Sequence, residues 1–205
     1  MHLTRAESTK KLPIPRKGTK YLARPSSHVK TSVSVLFAVR DMLKLARTAK
    51  EVNSMIHHKQ LKLNGREVKD PRESIKLFNV LEAGKHYILS LTKNGKFKLD
   101  ESKEKERLLK VIGKKILNHK KTQINFHDGS NVLSEEKIKM GDSVYLDFSG
   151  KIKKTVSLSA GKKCSIVSGK YIGQTGKIES VEGKKVVVNI EDKSVFLNER
   201  SIFVI

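Results

Sequence analysis

Positive charge is spread along the whole of this chain rather than gathered in a tail, and that limits what it can fold into. Residues 1–34 carry eight lysines and arginines against one acidic residue, and residues 35–90 carry eleven against six. Residues 91–160 carry sixteen against nine, and residues 161–205 eight against five. The formal net charge is +22 over 205 residues. A compact body so charged repels itself unless a polyanion surrounds it, and the usual polyanion is nucleic acid. Apolar residues make up only 37% of the chain and aromatics 5%, with no tryptophan, so several small cores are expected rather than one large one.

The same dispersal argues against a membrane. The longest apolar run, Val35-Leu36-Phe37-Ala38-Val39, is five residues, and a span needs ~20. Surface binding to lipid would want an amphipathic helix with a basic and a strongly apolar face, or a lipid anchor, and neither stands out. The first thirty residues hold eight cations and no apolar block, so no secretory signal and an intracellular, soluble protein are expected. A single cysteine, Cys164, leaves no intrachain disulfide and no Cys-clustered zinc site.

Residues 1–34 read as a basic extended arm. Three of the four prolines, Pro13, Pro15 and Pro25, fall here. Proline removes a backbone donor and biases its predecessor to extended geometry, so no regular element is expected. Arg5, Lys10, Lys11, Arg16, Lys17, Lys20, Arg24 and Lys30 punctuate the arm. That spacing suits a segment that orders against phosphates, with Leu12, Ile14, Tyr21 and Leu22 as anchors.

Residues 35–90 open with the clearest helical pattern. Leu36, Val39, Met42, Leu43 and Ala46 form one apolar stripe at helical spacing, and Arg40, Lys44 and Arg47 a basic stripe on another face. Thr48 followed by Glu51 is a capping box, which predicts a second helix from Ala49 that buries Val52, Met55 and Ile56 and turns Lys50, Asn53, Ser54 and His57 outward. The period then falls to two at Leu61-Lys62-Leu63, and Asn64-Gly65 signals a hairpin.

Residues 91–159 are expected to be mostly β. Lys103 to Arg107 alternates in charge and fits a helical turn. Leu108, Leu109, Ile112, Ile116 and Leu117 fit either a helical stripe or two strands broken near Gly113, and periodicity alone does not decide between them. His127-Asp128-Gly129 and Met140-Gly141-Asp142-Ser143 read as turns, with a strand over 144–148. Residues 160–205 are a row of short strands with glycine corners, the pattern of a small barrel; Gly173 and Gly176 are placed where a corner needs positive φ or close backbone approach.

No catalytic constellation assembles. His57 and His58 are adjacent, so on a helix their side chains diverge, and no ligand spacing accompanies them. Cys164 has no histidine near it in sequence and reads as a small buried hydrophobe. His127-Asp128 fits a turn better than an acid–base pair.

Two local motifs resemble known modules. Gly169-Lys170-Tyr171-Ile172-Gly173-Gln174-Thr175-Gly176-Lys177-Ile178, with Gly161 and the hydrophobic Ile166-Val167 before it, resembles the KOW motif of ribosomal and transcription-elongation proteins. Arg40-Asp41-x-Leu43, then Thr48-x-x-x-Val52-x-x-Met55-Ile56 and Leu61-x-Leu63-Asn64-Gly65, resembles the S-four-type RNA-binding domain. It departs where Ala49 replaces an arginine and Lys59 a glycine. A pseudouridine synthase would need a large catalytic domain that residues 91–160 cannot supply.

Together with His2-Leu3-Thr4-Arg5, Arg24-Pro25-Ser26, the run from Val35 to Lys44, Ile138 to Ser143 and the closing Ser201-Ile202-Phe203-Val204-Ile205, the chain is similar along its length to the small-subunit ribosomal protein S-four-e family of archaeal and eukaryotic ribosomes. Members usually continue past the final Phe-Val-Ile with a basic or glycine-rich tail, whose contacts are expected to be missing or unnecessary here, and the resemblance's longer eukaryotic members make an archaeal-type protein or a reduced genome the expectation.

The resemblance implies an α+β fold in four parts: a basic arm (1–34), an S-four-type RNA-binding domain of two helices and a hairpin (35–90), a central mostly-β domain (91–159) with strands over 108–118, and a C-terminal SH3-like KOW barrel (160–205). It implies a structural, non-enzymatic constituent of the small ribosomal subunit in the cytoplasm, with small-subunit rRNA and neighbouring ribosomal proteins as partners. No cofactor, metal, small-molecule substrate or homo-oligomer is expected. The residues expected to meet RNA are Arg5, Lys10, Lys11, Arg16, Lys17, Lys20 and Arg24 in the arm, Arg40, Lys44, Arg47 and Lys50 from the helices, and Lys59 and Lys62 at the hairpin. Lys162, Lys163, Lys170 and Lys177 are the barrel candidates. The rival reading is a KOW-containing transcription-elongation or RNA-chaperone factor, which would more often be neutral or acidic away from its RNA face.

Overall fold

A computed structural model describes residues 2–103, 106–118, 121–191 and 193–205. The chain forms two compact units, residues 1–92 with 96–105, and residues 106–205 with the short segment 93–95.

In the first unit the arm is not simply extended. Strand β1 (Leu3–Thr4) pairs antiparallel with β2 (Tyr21–Leu22), which closes the proline-bearing stretch between them into a loop. Leu3 and Leu12 are buried, and the Phe97 N–H donates to the Lys11 carbonyl at 2.7 Å. The prolines confine the regular pairing to the two ends of the loop, and apolar burial supplies the remaining order.

Strand β3 (Ser32–Ser34) leads into a three-residue helix α1 (Val35–Phe37), capped by Ser34, and then a π-helical turn over Ala38–Met42 in which the Leu43 N–H reaches the Ala38 carbonyl. The short amphipathic helix expected from Leu36 to Ala46 is therefore cut to a three-residue helix and a wide turn. Val35, Phe37, Ala38 and Val39 are buried almost consecutively, whereas Leu36, Met42 and Leu43 are half-buried. Burial that runs through consecutive residues, with Arg40 half-buried and Asp41 exposed after them, follows no single helical stripe.

Helix α2 (Ala49–His57) starts where the capping signal places it. Val52 and Ile56 are buried, Met55 is half-buried, and Lys50, Asn53, Ser54 and His57 are exposed. Strands β4 (Leu61–Leu63) and β5 (Arg66–Glu67) form the hairpin around Asn64 and Gly65, whose φ values of +52° and +80° are those of the tight turn that favours these two residues. Strands β6 (Ser74–Lys76), β7 (Val80–Ala83), β8 (Lys85–Leu91) and β9 (Phe97–Ser102) complete the unit. β6 pairs with β3, and the others extend an antiparallel sheet in the order β5-β4-β7-β8-β9.

The second unit is two five-stranded antiparallel sheets. Strands β10 (Glu106–Asn118), β11 (Lys121–Phe126), β12 (Asn131–Ser134), β13 (Ser143–Asp147) and β14 (Ile152–Val156) stand in the order β12-β11-β10-β13-β14. Of the alternating-charge run 103–107, Glu104 and Lys105 lie outside the described residues, and Glu106 and Arg107 begin β10 rather than a helical turn.

The 108–118 stretch is one strand that changes partner. Residues Glu106 to Lys110 pair with β13, Val111 to Asn118 pair with β11, and the register slips at Ile112, which is left 55% exposed. Leu108, Leu109, Lys110 and Val111 are all buried because both faces of the strand are covered there. That double cover removes the alternation that marks a strand in sequence.

Strands β15 (Lys163–Ile166), β16 (Thr175–Glu182), β17 (Lys185–Ile190), β18 (Lys193–Asn198) and β19 (Ile202–Val204) form the other sheet, ordered β18-β17-β16-β15-β19. Its core alternates inward through Cys164 and Ile166, Val186, Val188 and Ile190, and Ile202 and Val204. Gly173 has φ +80°, and a Cβ on Gly176 would lie 2.5 Å from Val188 Cγ1 and 2.7 Å from the Asn189 carbonyl oxygen. Both glycines are needed at this corner for the reasons the sequence suggests.

Candidate nucleic-acid interface

The first unit carries an open depression between the arm and the turn after α1. Its walls include Lys20, Tyr21, Arg40, Asp41, Lys44 and Arg47, and its volume is about 910 Å³. Arg40, Lys44 and Arg47 do not lie on one helix as their spacing suggests, because the helical turn ends at Met42 and Lys44 takes a left-handed backbone, φ +56°. The fold nonetheless gathers all three around the same hollow.

Their charges are not equivalent. Arg40 is engaged in a fork with Asp41, Nε to Oδ1 at 3.0 Å and Nη2 to Oδ2 at 2.8 Å, so much of its charge is met inside the protein. Lys44 and Arg47 are exposed. Arg47 stands just before the α2 cap. The Glu51 N–H donates to Thr48 Oγ1 at 3.2 Å, and the Glu51 carboxylate accepts from the Thr48 hydroxyl at 3.0 Å and from the Arg47 N–H at 2.8 Å. The Arg47 N–H bond chiefly, then the Thr48 hydroxyl, holds the Glu51 carboxyl below its ordinary pKa. The cap thus fixes the backbone at the Arg47 corner.

Elsewhere the unit scatters its cations. Lys50 is exposed on α2. Lys59, also left-handed at φ +56°, pairs with Glu67 at 3.3 Å, while Lys62 points outward from β4 between two buried leucines. In the arm, the Arg5 guanidinium donates to the Pro15 carbonyl, and Lys96 donates its ammonium to the Lys10 carbonyl. Lys11 is half-buried, and desolvation lowers its pKa. Arg24 is half-buried as well, whereas Lys10, Arg16, Lys17 and Lys20 are exposed. Arg5 and Lys11 therefore serve the arm's own fold as well as its charge.

In the second unit Lys162, Lys163, Lys170 and Lys177 are all exposed. Lys163 and Lys177 stand directly opposite each other in the β15–β16 ladder, with Cys164 and Gly176 on the next rung facing inward. Like charges so placed repel, and a polyanion laid across them removes the repulsion. Lys170 lies beyond the other end of β15, with its ammonium 5.8 Å from the centre of the Tyr171 ring.

A second cleft, about 680 Å³, opens in this unit beside Lys110, Ile112, His127, Met140, Arg200 and Phe203. Lys110 is 4% exposed, and its ammonium donates to the Ile202 carbonyl at 2.6 Å and to the Glu199 carbonyl. Burial pulls its pKa down to about 8. His127 accepts the Lys110 N–H on Nδ1 at 3.2 Å and sets its ring edge-to-face with Phe203, centroids 4.7 Å apart. Asp128 pairs with Arg107 at 2.8 Å and accepts the Ser130 N–H at 2.8 Å. The bonds just named are architectural: they hold a turn or join the two sheets.

Sequence reasoning did not find Lys110, because a lone lysine in an apolar run gives no sign of facing two carbonyls. It also passed over Lys153 and Lys154, exposed on β14 with the Lys154 ammonium 5.6 Å from the Tyr145 ring centre. Their position in a strand just after a glycine turn, Ser149-Gly150, was the available signal. The Cys164 thiol is buried and pushed up to about 11 by desolvation, the reverse of an activated nucleophile. Among the described residues no three His, Cys, Asp or Glu side chains converge as a metal site would need, and no helix is long and apolar enough to cross a membrane.

The exposed cations just described lie on open surfaces over small, mostly β cores. Comparison with known proteins gives the class. The profile of Ribosomal family S4e matches residues 83–152. The small ribosomal subunit protein eS4 of Methanospirillum hungatei is 30% identical, with the match covering 98% of this chain and 87% of that protein. Its counterpart from Picrophilus torridus is 33% identical over 85% of this chain and 79% of its own length. The crystal structure of the 30S ribosomal protein S4e from Thermoplasma acidophilum matches with a TM-score of 0.74 at 26% identity, covering 85% of this chain and 95% of that one. The chain belongs to the S4e family of ribosomal proteins.

Proposed function

We propose that this protein is a structural constituent of the small ribosomal subunit in the cytoplasm, where it binds and stabilises folded small-subunit rRNA through phosphate and shape contacts. The observation that carries the reading is likeness to small-subunit eS4 proteins over nearly the full chain. The chemistry agrees with it. Lysine and arginine neutralise backbone phosphates and release counterions, and A-form grooves hide base edges, so charge and shape are the terms available to such a surface.

Within that role, residues 35–90 act as an S-four-type RNA-binding domain and residues 160–205 as an SH3-like KOW barrel. The arm (1–34) reaches along RNA, and residues 91–159 link the two ends. Lys44, Arg47, Lys50 and Lys62 meet phosphates from the first unit, joined by Lys10, Arg16, Lys17 and Lys20 from the arm. Lys162, Lys163, Lys170 and Lys177 meet RNA or a neighbouring ribosomal protein. The chain works as a single copy and performs no catalysis.

The test is sedimentation of the native protein through sucrose gradients of its own cell lysate at low and high salt. Migration with the small subunit, resistant to a moderate-salt wash, is the expected result. Migration free or with RNA polymerase would replace this reading with the elongation-factor alternative.

A further inference from the structure

The depression in the first unit contains something phosphate binding does not require. Tyr21 is 52% exposed in it, although aromatics make up only 5% of the chain. An aromatic ring left in water forgoes a large burial term, so its position needs a reason. The ring is positioned rather than loose: β1–β2 pairing sets Tyr21 opposite Thr4, the His2 ring meets it edge-to-face at 4.9 Å, and the Lys20 ammonium lies 5.6 Å from its centre. Lys44 and Arg47 belong to the same hollow, and Asp41, the one carboxylate among the described residues of its wall, is already forked to Arg40.

An exposed, positioned ring beside solvent-exposed cations is the arrangement by which single-stranded nucleic acid is held, the base stacked and the flanking phosphates neutralised. We propose that Tyr21 is the stacking platform for one unpaired RNA base, with Lys44 and Arg47 holding the phosphates on either side of it. The proposal rests on the rRNA-binding reading and adds to it a site for an unstacked nucleotide. An acidic peptide would satisfy the cations equally well but would gain nothing specific from a planar ring, so the observations favour the base.

The test uses the full-length chain and two labelled probes of equal length, a short oligouridylate and an abasic ribose-phosphate oligomer, at matched salt. The wild-type chain is expected to bind the base-bearing probe about tenfold more tightly, the scale of one base–aromatic stack. Tyr21→Leu should abolish that preference and Tyr21→Phe should keep it. Lys44→Gln should weaken both probes equally.

His2→Ala separates stacking from mere loosening of the arm, because it removes a contact to the ring but leaves the ring. It should retain the preference, and equal loss in His2→Ala and Tyr21→Leu would overturn the proposal. So would a wild-type chain that binds both probes alike while still binding small-subunit rRNA. Failure of the wild-type chain to bind any RNA would sink the rRNA reading together with the proposal.

Discussion

The hollow beside Tyr21 and the cleft beside Phe203 are assembled from the same parts, a lysine close to an aromatic ring, and use them in opposite ways. At Phe203 the Lys110 ammonium is turned inward, 5.7 Å from the ring centre, with two backbone carbonyls as acceptors, and the ring itself is 4% exposed. At Tyr21 the ring is half in solvent and the nearby Lys20, Lys44 and Arg47 are exposed. In the first case the charge satisfies the protein's own backbone at the junction of two sheets, where the Val204 N–H also reaches Ser143 Oγ at 3.1 Å. In the second the cations stay in solvent. Proximity of lysine to an aromatic ring therefore says little about role; whether the cation has internal acceptors decides it.

The largest expected effect breaks the architectural side of this comparison. Lys110→Met keeps the volume but leaves the Glu199 and Ile202 carbonyls without their donor, which should cost about 2–4 kcal/mol in a urea-unfolding midpoint. A midpoint equal to wild type would show the lysine is not a joint. Next in size is a pH effect on the same residue. Lysine ordinarily titrates near 10.5 and Lys110 near 8, so the unfolded chain holds more protons between those values. Stability of wild type relative to Lys110→Met should then rise above pH 8, by up to about 1.4 kcal/mol per pH unit, and stay flat below it. Unfolding curves for both proteins between pH 7 and pH 10 (working conditions of about this span suffice) check the sign.

Smaller effects sharpen the other side. Thr48→Ala removes the α2 cap and should cost about 1 kcal/mol by thermal or urea unfolding, with Thr48→Asp restoring most of it. Lys44→Gln and Arg47→Gln should change stability little, within about 0.5 kcal/mol, as expected for exposed side chains. Each should weaken rRNA binding several-fold and reduce the slope of log affinity against log salt by about one, read from a salt titration. Equal loss of folding stability in these two variants would erase the distinction between the hollow and the cleft.

Legibility in the sequence was uneven, and the reasons are local. The α2 start at Ala49, the Asn64-Gly65 hairpin and the strands from Lys163 to Val204 were readable because each depends on a few neighbouring residues with a steric or hydrogen-bonding requirement. The turn over Ala38–Met42 was read as a regular helix because Leu36, Val39, Met42 and Leu43 are spaced as a stripe, whereas burial here runs through the consecutive residues Phe37, Ala38 and Val39. The arm's two short strands were missed because their pairing joins Leu3 to Leu22 and Thr4 to Tyr21 across a proline-bearing loop, beyond any local rule. The family profile falls on residues 83–152, much of it the stretch where periodicity decided least.

For the candidate interface, residue type could be read but not spatial company. Arg40, Lys44 and Arg47 do come together, yet around a left-handed corner rather than on a helical face, and Arg40 arrives already paired with Asp41. Tyr21 could be named as an anchor from sequence, but its 52% exposure and its place among those cations could not. Composition by itself determined a cationic protein of small cores suited to a polyanion, since net charge and apolar supply are sums that need no geometry. Which cations are consumed by the fold and which stay in solvent was decided only by the tertiary structure, because a lysine's role depends on the acceptors within a few ångströms of its ammonium, and those come from distant parts of the chain.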